Sequence, residues 1–319
     1  MNGLNLYSFL PFGLRTKICF GLLLALSLQT QVLAFEEINY SKTIDDHKIK
    51  AIYGLDEREL MENHSSQTLK DMGRAVLAQF PNYMVFDETD KHIMIRNRTL
   101  QEAHQVCPGE KFVENSSLST CTGFLVSNDL MITAGHCMKD KEDCSNNIFT
   151  FDYHQSRATG EYLILPKENV YRCKQVISSS YGTFSKTDYA IVKLDRPVEG
   201  RKPLRIRRLG KIDSKESVFV LGHPMGLPQM YTPNGKVRSN IGLNSFVTNL
   251  DTFSGNSGSP VLNASTNMVE GILVKGEDDL DYDVELGCYK NRVCRDNECR
   301  GETVVRTTAI PISKIPLLK

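Results

Sequence analysis

Three side chains spread widely along the sequence have the types and settings that acyl transfer requires: Ser257, His136 and Asp188. Ser257 stands between glycines in Gly255-Asn256-Ser257-Gly258, within the run from Asp251 to Val261. A serine in so tight a turn can hold its hydroxyl clear of the backbone while successive N–H groups converge on one point. Acyl transfer needs both, an exposed nucleophile and donors aimed where an oxyanion will form. A nucleophilic serine also needs a base to take its proton, and that base needs an acceptor to fix its tautomer. His136 closes the run Thr133-Ala134-Gly135-His136-Cys137, and Asp188 opens the run Asp188-Tyr189-Ala190-Ile191-Val192-Lys193-Leu194. Each has an ordinary alternative: a polar turn for Ser257, a structural histidine beside apolar strands, and a turn aspartate before a strand. The combination carries more weight than any one of them.

The segments that must position these groups read as strands. Cys121 to Val126 and Leu130 to Thr133 are apolar runs around the polar turn Ser127-Asn128-Asp129, a β-hairpin pattern that delivers His136 after small residues. Short strands are also expected at Ile148–Phe151, Val170–Arg172, Ala190–Leu194 and Ser217–Leu221. Asn234-Gly235 signals a tight hairpin. Leu69 to Phe80 reads equally as a strand or a short helix, and the stretch from Pro81 to Thr120 as a long surface excursion pinned by Cys107. Gly200 to Arg208 reads as a crossover whose basic residues occupy a solvated strand face. Many short strands, regular turns and few helical runs argue for an all-β fold.

The three motifs, in the order His, Asp, Ser, resemble the trypsin/chymotrypsin superfamily over roughly the last two-thirds of the chain. The wording Gly-Asn-Ser-Gly-Ser-Pro is similar to that of the secreted bacterial branch typified by glutamyl endopeptidases. The resemblance implies two six-stranded barrels with the active site in the cleft between them. It implies His136 as general base, Asp188 as its orienting acid and Ser257 as nucleophile, with the N–H groups of Gly255 and Ser257 as the oxyanion hole. It also implies a disulfide between Cys121 and Cys137 beside the histidine. Asp251, six before the serine, takes the place at the base of the primary specificity pocket. A buried carboxylate there would favour Arg or Lys before the scissile bond, whereas a carboxylate facing away would brace a loop. Thr252 matches a glutamate-binding residue of the branch, but Leu273 stands where glutamate-cutting relatives carry histidine. Backbone groups of Val274 to Gly276 are expected to pair with substrate as an added strand. Asn256 occupies the position where trypsin-type zymogens carry the aspartate that receives the new N-terminus, so that ion pair cannot form here.

The chain has 319 residues with 38 basic and 38 acidic side chains, so no nucleic-acid partner is suggested. Residues 1–34 read as a signal peptide: Arg15 and Lys17 precede an apolar core from Ile18 to Leu28, which is short for a membrane span, and Val32 and Ala34 suit a cleavage site. Residues 35–50 read as a propeptide, with the peptidase domain over 51–319 and Ala51 as the mature N-terminus. Export makes disulfides the expectation for the eight remaining cysteines. Beyond Cys121–Cys137 fifteen pairings are open, and Cys144 with Cys173 is the further pair expected. A zinc site at Cys288, Cys294 and Cys299 is the competing use of those residues, without the paired spacing such sites prefer. The acidic run from Glu277 to Glu285 lacks calcium-loop spacing and reads as a solvated loop.

The expected protein is therefore a secreted monomeric serine endopeptidase, extracellular or periplasmic. It acts on protein or peptide substrates without cofactor, metal or stable membrane insertion. Its competitors are a catalytically silent secreted binding module of the same fold, and a periplasmic chaperone-protease, for which little chain follows Ser257.

Overall fold

The computed structural model describes residues 51–182 and 185–317, which lie in one compact unit. The expectations for residues 1–34 and 35–50 fall outside the described residues. Twelve strands build the scaffold. The first six are β1 (Val76–Pro81), β2 (Cys121–Leu125), β3 (Leu130–Thr133), β4 (Asn147–Phe151), β5 (Val170–Ser180) and β6 (Tyr189–Leu194). They close into a barrel in the order β1-β2-β3-β6-β5-β4. The second six are β7 (Ser217–Gly222), β8 (Met230–Ser239), β9 (Ser245–Thr248), β10 (Pro260–Asn263), β11 (Val269–Lys275) and β12 (Glu302–Arg306). These follow the order β7-β8-β9-β12-β11-β10, and the β7–β8 pairing closes the ring. The two barrels thus repeat one strand order.

Composition explains why the rings close. Tyr189-Ala190-Ile191-Val192 in β6 is buried throughout, as are all residues of β2 and β3. Strands covered on both faces read as continuous apolar runs rather than alternating ones. The second barrel has its own core around Ile212, Val218, Val237, Phe246, Val261 and Val304. A larger cluster joins first-barrel residues such as Phe124, Ile132 and Val192 to Phe219, Leu262, Ile272 and Val305 of the second. Burial of each such side chain contributes about 1.5–3 kcal/mol, so the two barrels are held as one apolar body.

Several local readings change. Leu69 to Phe80 contains both elements it was compatible with: a helix Gln67–Gly73, capped by Ser66, and then β1. Asn234-Gly235 makes no hairpin; it lies inside β8, where the register against β7 shifts between Val218 and Val220. Asn234 has φ +61°, the same left-handed backbone a tight turn would need, here spent on a bulge. The stretch after Pro81 forms a four-stranded sheet, Val85–Glu88 and His92–Arg96 with Tyr162–Pro166 and Ala158–Thr159. It packs on the first barrel through Ile93, Ile95, Leu163 and Leu165. Arg207 and Arg208 are not on a free surface either. Arg207 pairs with buried Glu270, and Arg208 donates to the carbonyls of Ile312, Ile315 and Pro316.

All eight cysteines among the described residues are paired: Cys107–Cys288, Cys121–Cys137, Cys144–Cys173 and Cys294–Cys299. The second and third are the expected pairs. The other two consume the thiols that a zinc site would need. No helix among the described residues is long and apolar enough to cross a membrane.

Candidate active site

His136 sits in a single 3-10 turn, Gly135–Cys137, directly after β3. Its placement depends on Gly135: a Cβ there would lie 2.2 Å from Ser180 O and 2.9 Å from Tyr189 O. Only glycine lets the turn come this close to the start of β6, and so to Asp188. The Asp188 carboxylate then holds His136 at two points. Oδ1 accepts from the His136 backbone N–H at 3.0 Å, and Oδ2 lies 2.7 Å from Nδ1. An ionised carboxylate only accepts, so Asp188 favours the tautomer with the ring proton on Nδ1 and the lone pair on Nε2. The Tyr181 ring flanks the imidazole with centroids 6.0 Å apart.

The serine turn reaches the same place from the second barrel. Thr122 N donates to Ser257 O at 2.8 Å, and Cys137 Sγ lies 3.8 Å from that oxygen. A nitrogen of the His136 ring is within 4.8 Å of both cysteine sulfurs, so the Cys121–Cys137 bridge is a shared neighbour of imidazole and serine. Those sulfurs are bonded to each other and offer no thiolate to a metal. Gly258 makes the approach possible. Its φ is +91°, and a Cβ would stand 2.0 Å from Thr122 O.

Two peptide planes in the turn are fixed from behind. Ser254 O accepts from Met225 N at 2.5 Å, and Asn256 O accepts from Ser259 N at 2.9 Å. No peptide bond among the described residues is cis, so the N–H partner of each carbonyl points the opposite way. Those partners are the N–H groups of Gly255 and Ser257, and among the described residues neither has an acceptor. Beside Gly255 opens a cleft of about 550 Å³ whose lining includes Thr120, Met225, Gly226 and Ser254, with Arg98 and Arg292 at its charged edge.

The residues assigned to substrate binding separate. Asp251 is 6% exposed, and its Oδ1 accepts from Tyr53 N at 2.6 Å. The cavity it borders is lined by Tyr53, Glu57, Lys236 and Asp296, with no residue of the 253–258 turn. It braces the N-terminal strand Ile52–Tyr53, which is the loop-bracing alternative rather than the pocket one. Burial pushes its carboxyl up to about 7, reinforced by Asp56 and opposed by the Tyr53 N–H and Arg58. Leu273 does not line a pocket either, because its side chain packs in the second-barrel core. Thr252 donates to the buried carboxylate of Glu302, which also accepts from Glu277 N and packs directly on Gly276. Val274 is buried at the end of β11. The acidic run divides: Asp281 and Glu285 are exposed, whereas Glu277 and Asp279 are buried, Glu277 paired with Arg300 and Asp279 accepting from Ser254 N, and Asp278 and Asp279 line the cleft.

Three further residues surround the site from outside the motifs. Arg58 is 1% exposed, pairs with Asp56 and lies 4.2 Å over the Phe253 ring, so the N-terminal segment grips the serine loop. His223 is buried behind Gly255, its Nδ1 3.0 Å from Leu227 O, and burial lowers it to about 3, so it stays neutral and is no rival base. Thr122 is wholly buried and bonds to the serine turn from the first barrel. Its one sequence signal is a hydroxyl inside an otherwise apolar strand.

The trypsin-like peptidase domain family matches residues 121–272. A curated relative, a secreted RxLR effector protein from Plasmopara viticola, is 33% identical over 164 residues, 47% of this chain and 39% of that protein. The chain thus spans well under half the length of that relative. Among solved structures, a Glu endopeptidase aligns with a TM-score of 0.46 at 15% identity, covering 81% of this chain and 94% of the other. A serine endoprotease from Yersinia pestis aligns with a TM-score of 0.45 at 14% identity, covering 76% and 61%. Residues 121–272 thus match the trypsin-like peptidase domain family, and they lie within the paired six-stranded barrels.

Proposed function

We propose that this protein is a secreted serine endopeptidase that cleaves peptide bonds through an acyl-enzyme. The observation that carries the reading is the two-point hold of Asp188 on His136 beside a serine turn with two N–H groups turned outward. In the proposed reaction Ser257 Oγ attacks the scissile carbonyl while His136 Nε2 takes its proton. The carbonyl oxygen, now an oxyanion, is received by the N–H groups of Gly255 and Ser257. His136 then gives the proton to the departing amine, which leaves an ester on Ser257. Water, deprotonated by the same imidazole, breaks that ester and regenerates the hydroxyl. Asp188 holds the Nδ1 proton and stabilises the imidazolium formed on the way. No cofactor is needed for any step.

The substrates are proteins or peptides that lie extended across the turn. A preference for Lys or Arg draws no support from Asp251, whose carboxylate is engaged by Tyr53. Cleavage profiling of a peptide library is expected to give the same pattern for wild type and Asp251→Asn. Four disulfides among the described residues suit an oxidising compartment, which supports export. The deciding experiment is labelling with a serine-directed phosphonate: wild type is expected to take up one label at Ser257, and Ser257→Ala none. The relative described as a secreted effector favours a second reading, a silent module that keeps the fold without turnover. A folded wild type that neither labels nor cleaves any library peptide would establish that reading and end ours.

A further inference from the structure

We propose that Thr122 is a positioning residue of the oxyanion hole, acting from the first barrel on a turn that belongs to the second. The inference rests on the peptidase reading above and assigns the hole's geometry to one side chain.

Thr122 is wholly buried in β2 and touches the serine turn through three atoms. Its N–H donates to Ser257 O at 2.8 Å, and its own carbonyl, which accepts from Thr133 Oγ1 at 2.6 Å, lies against Gly258. Its hydroxyl does what no backbone group could. Oγ1 donates to Gly255 O at 2.8 Å and accepts from His223 N at 3.2 Å. One side-chain oxygen therefore ties together β2, the His223–Leu227 loop and the turn that holds both outward N–H groups.

Gly255 most needs such a tie. Its φ is +90°, a region where glycine has several accessible conformations and nothing in its own side chain to choose among them. The carbonyl before it is held by Met225 N–H, and its own carbonyl is held by the Thr122 hydroxyl. The bond on Ser254 O sets the direction of the Gly255 N–H, and the bond on Gly255 O sets the path of the chain from there to the Ser257 N–H. Without the hydroxyl, the Gly255–Asn256 peptide retains only the bond from Asn256 N to Phe253 O, and the spacing between the two outward N–H groups is no longer held. A donor that must be reorganised as charge develops stabilises the transition state far less than a fixed one. The loss falls on the chemical step, since the ground-state carbonyl depends much less on the hole than the oxyanion does.

The test uses Thr122→Val, which keeps shape and backbone bonds but lacks the hydroxyl, and Thr122→Ser, which keeps the hydroxyl. Peptide hydrolysis and inhibition by a peptide aldehyde, whose adduct places an oxyanion in the hole, are measured on all three proteins. For Thr122→Val, kcat is expected to fall about tenfold to a hundredfold, somewhat less than loss of a donor itself. KM should change less than twofold, and aldehyde affinity should weaken in parallel with kcat. Thr122→Ser should recover most of both. Should Val prevent folding, Thr122→Ala carries the same comparison with Ser. A Val or Ala variant with wild-type kcat, a loss confined to KM, or a Ser variant as poor as Val overturns the proposal while leaving the peptidase reading intact. A folded wild type that does not label at Ser257 overturns both.

Discussion

Asp251 gives a quantitative test of how the N-terminal strand is held. Its carboxyl is raised from 3.8 to about 7, chiefly by burial beneath that strand, with Asp56 adding to the rise and Arg58 and the Tyr53 N–H opposing it. A carboxyl whose pKa is raised on folding binds a proton in the folded state that the unfolded chain has already lost. Its stabilising contribution is therefore complete below pH 4, falls as pH rises toward 7 and is flat beyond. A shift of roughly three units corresponds to about 4 kcal/mol over the full range, and about 3 kcal/mol between pH 4.5 and 8. Asp56, Asp152 and Glu277 have lowered values and slope the other way, so the wild-type curve alone mixes opposite trends. Subtraction removes them. Asn at 251 keeps an oxygen to accept the Tyr53 N–H, has nearly the shape of a protonated aspartate and does not titrate.

The comparison is urea unfolding of Ser257→Ala and Ser257→Ala/Asp251→Asn at half-unit steps from pH 4.5 to 8, with disulfides intact. The Ser257→Ala background prevents any self-cleavage of unfolded chain. The double variant is expected to gain about 3 kcal/mol relative to its parent across this range, read as a rising midpoint at constant m-value. If detaching residues 51–58 costs less than that, the strand will open locally above pH 7. The midpoint difference will then level early, and amide exchange at Tyr53 will accelerate only in the parent. Parallel curves, with no early exchange at Tyr53, would show that the carboxylate ionises freely where it lies and would refute the reasoning.

Asp188→Asn is expected to lower kcat about 10³–10⁴-fold with little change in KM, because the amide cannot hold the Nδ1 proton and its opposing charge together; steady-state peptide hydrolysis reads it. Gly258→Ala should cost several kcal/mol, about 1–3 for the backbone at φ +91° and more for the contact with Thr122 O, and should abolish phosphonate labelling. Thermal melting checks the first effect. Arg58→Met should lower stability by about 3–5 kcal/mol, since it strips Asp56 of its buried partner and Phe253 of the guanidinium above it. The urea midpoint measures that cost, and a slower labelling rate at Ser257 would show that the grip on the loop extends to the turn.

The candidate site was legible because its residues sit in contiguous motifs whose local structure is set by near neighbours. Gly135 before His136 and Gly258 after Ser257 are present because distant backbone comes within contact there, strands of the same barrel at Gly135 and the first barrel at Gly258, so the glycines record a long-range approach in a short string. The Cys144–Cys173 pair, one of the fifteen pairings open in the sequence, rests on structure the motifs do not carry: it joins a helix Lys141–Asn146, capped by Asp140, to β5. What escaped was direction. Asp251 lies in an irregular segment with no periodicity to say which way its side chain points, and the chain that receives it, Tyr53, is almost two hundred positions away. Asn234-Gly235 advertises a left-handed backbone but not whether a turn or a bulge will use it. The sheet after Pro81 finds its partner strand only at Tyr162–Pro166, beyond the whole histidine hairpin. The same limit applies inside the site. Ser257, His136 and Asp188 suggest a reaction, yet the peptides on either side of Gly255 are held by Met225 and Thr122, which reach the turn from two separate segments. A nucleophile can therefore be read from six residues, whereas the environment that would make it fast is a property of both closed barrels.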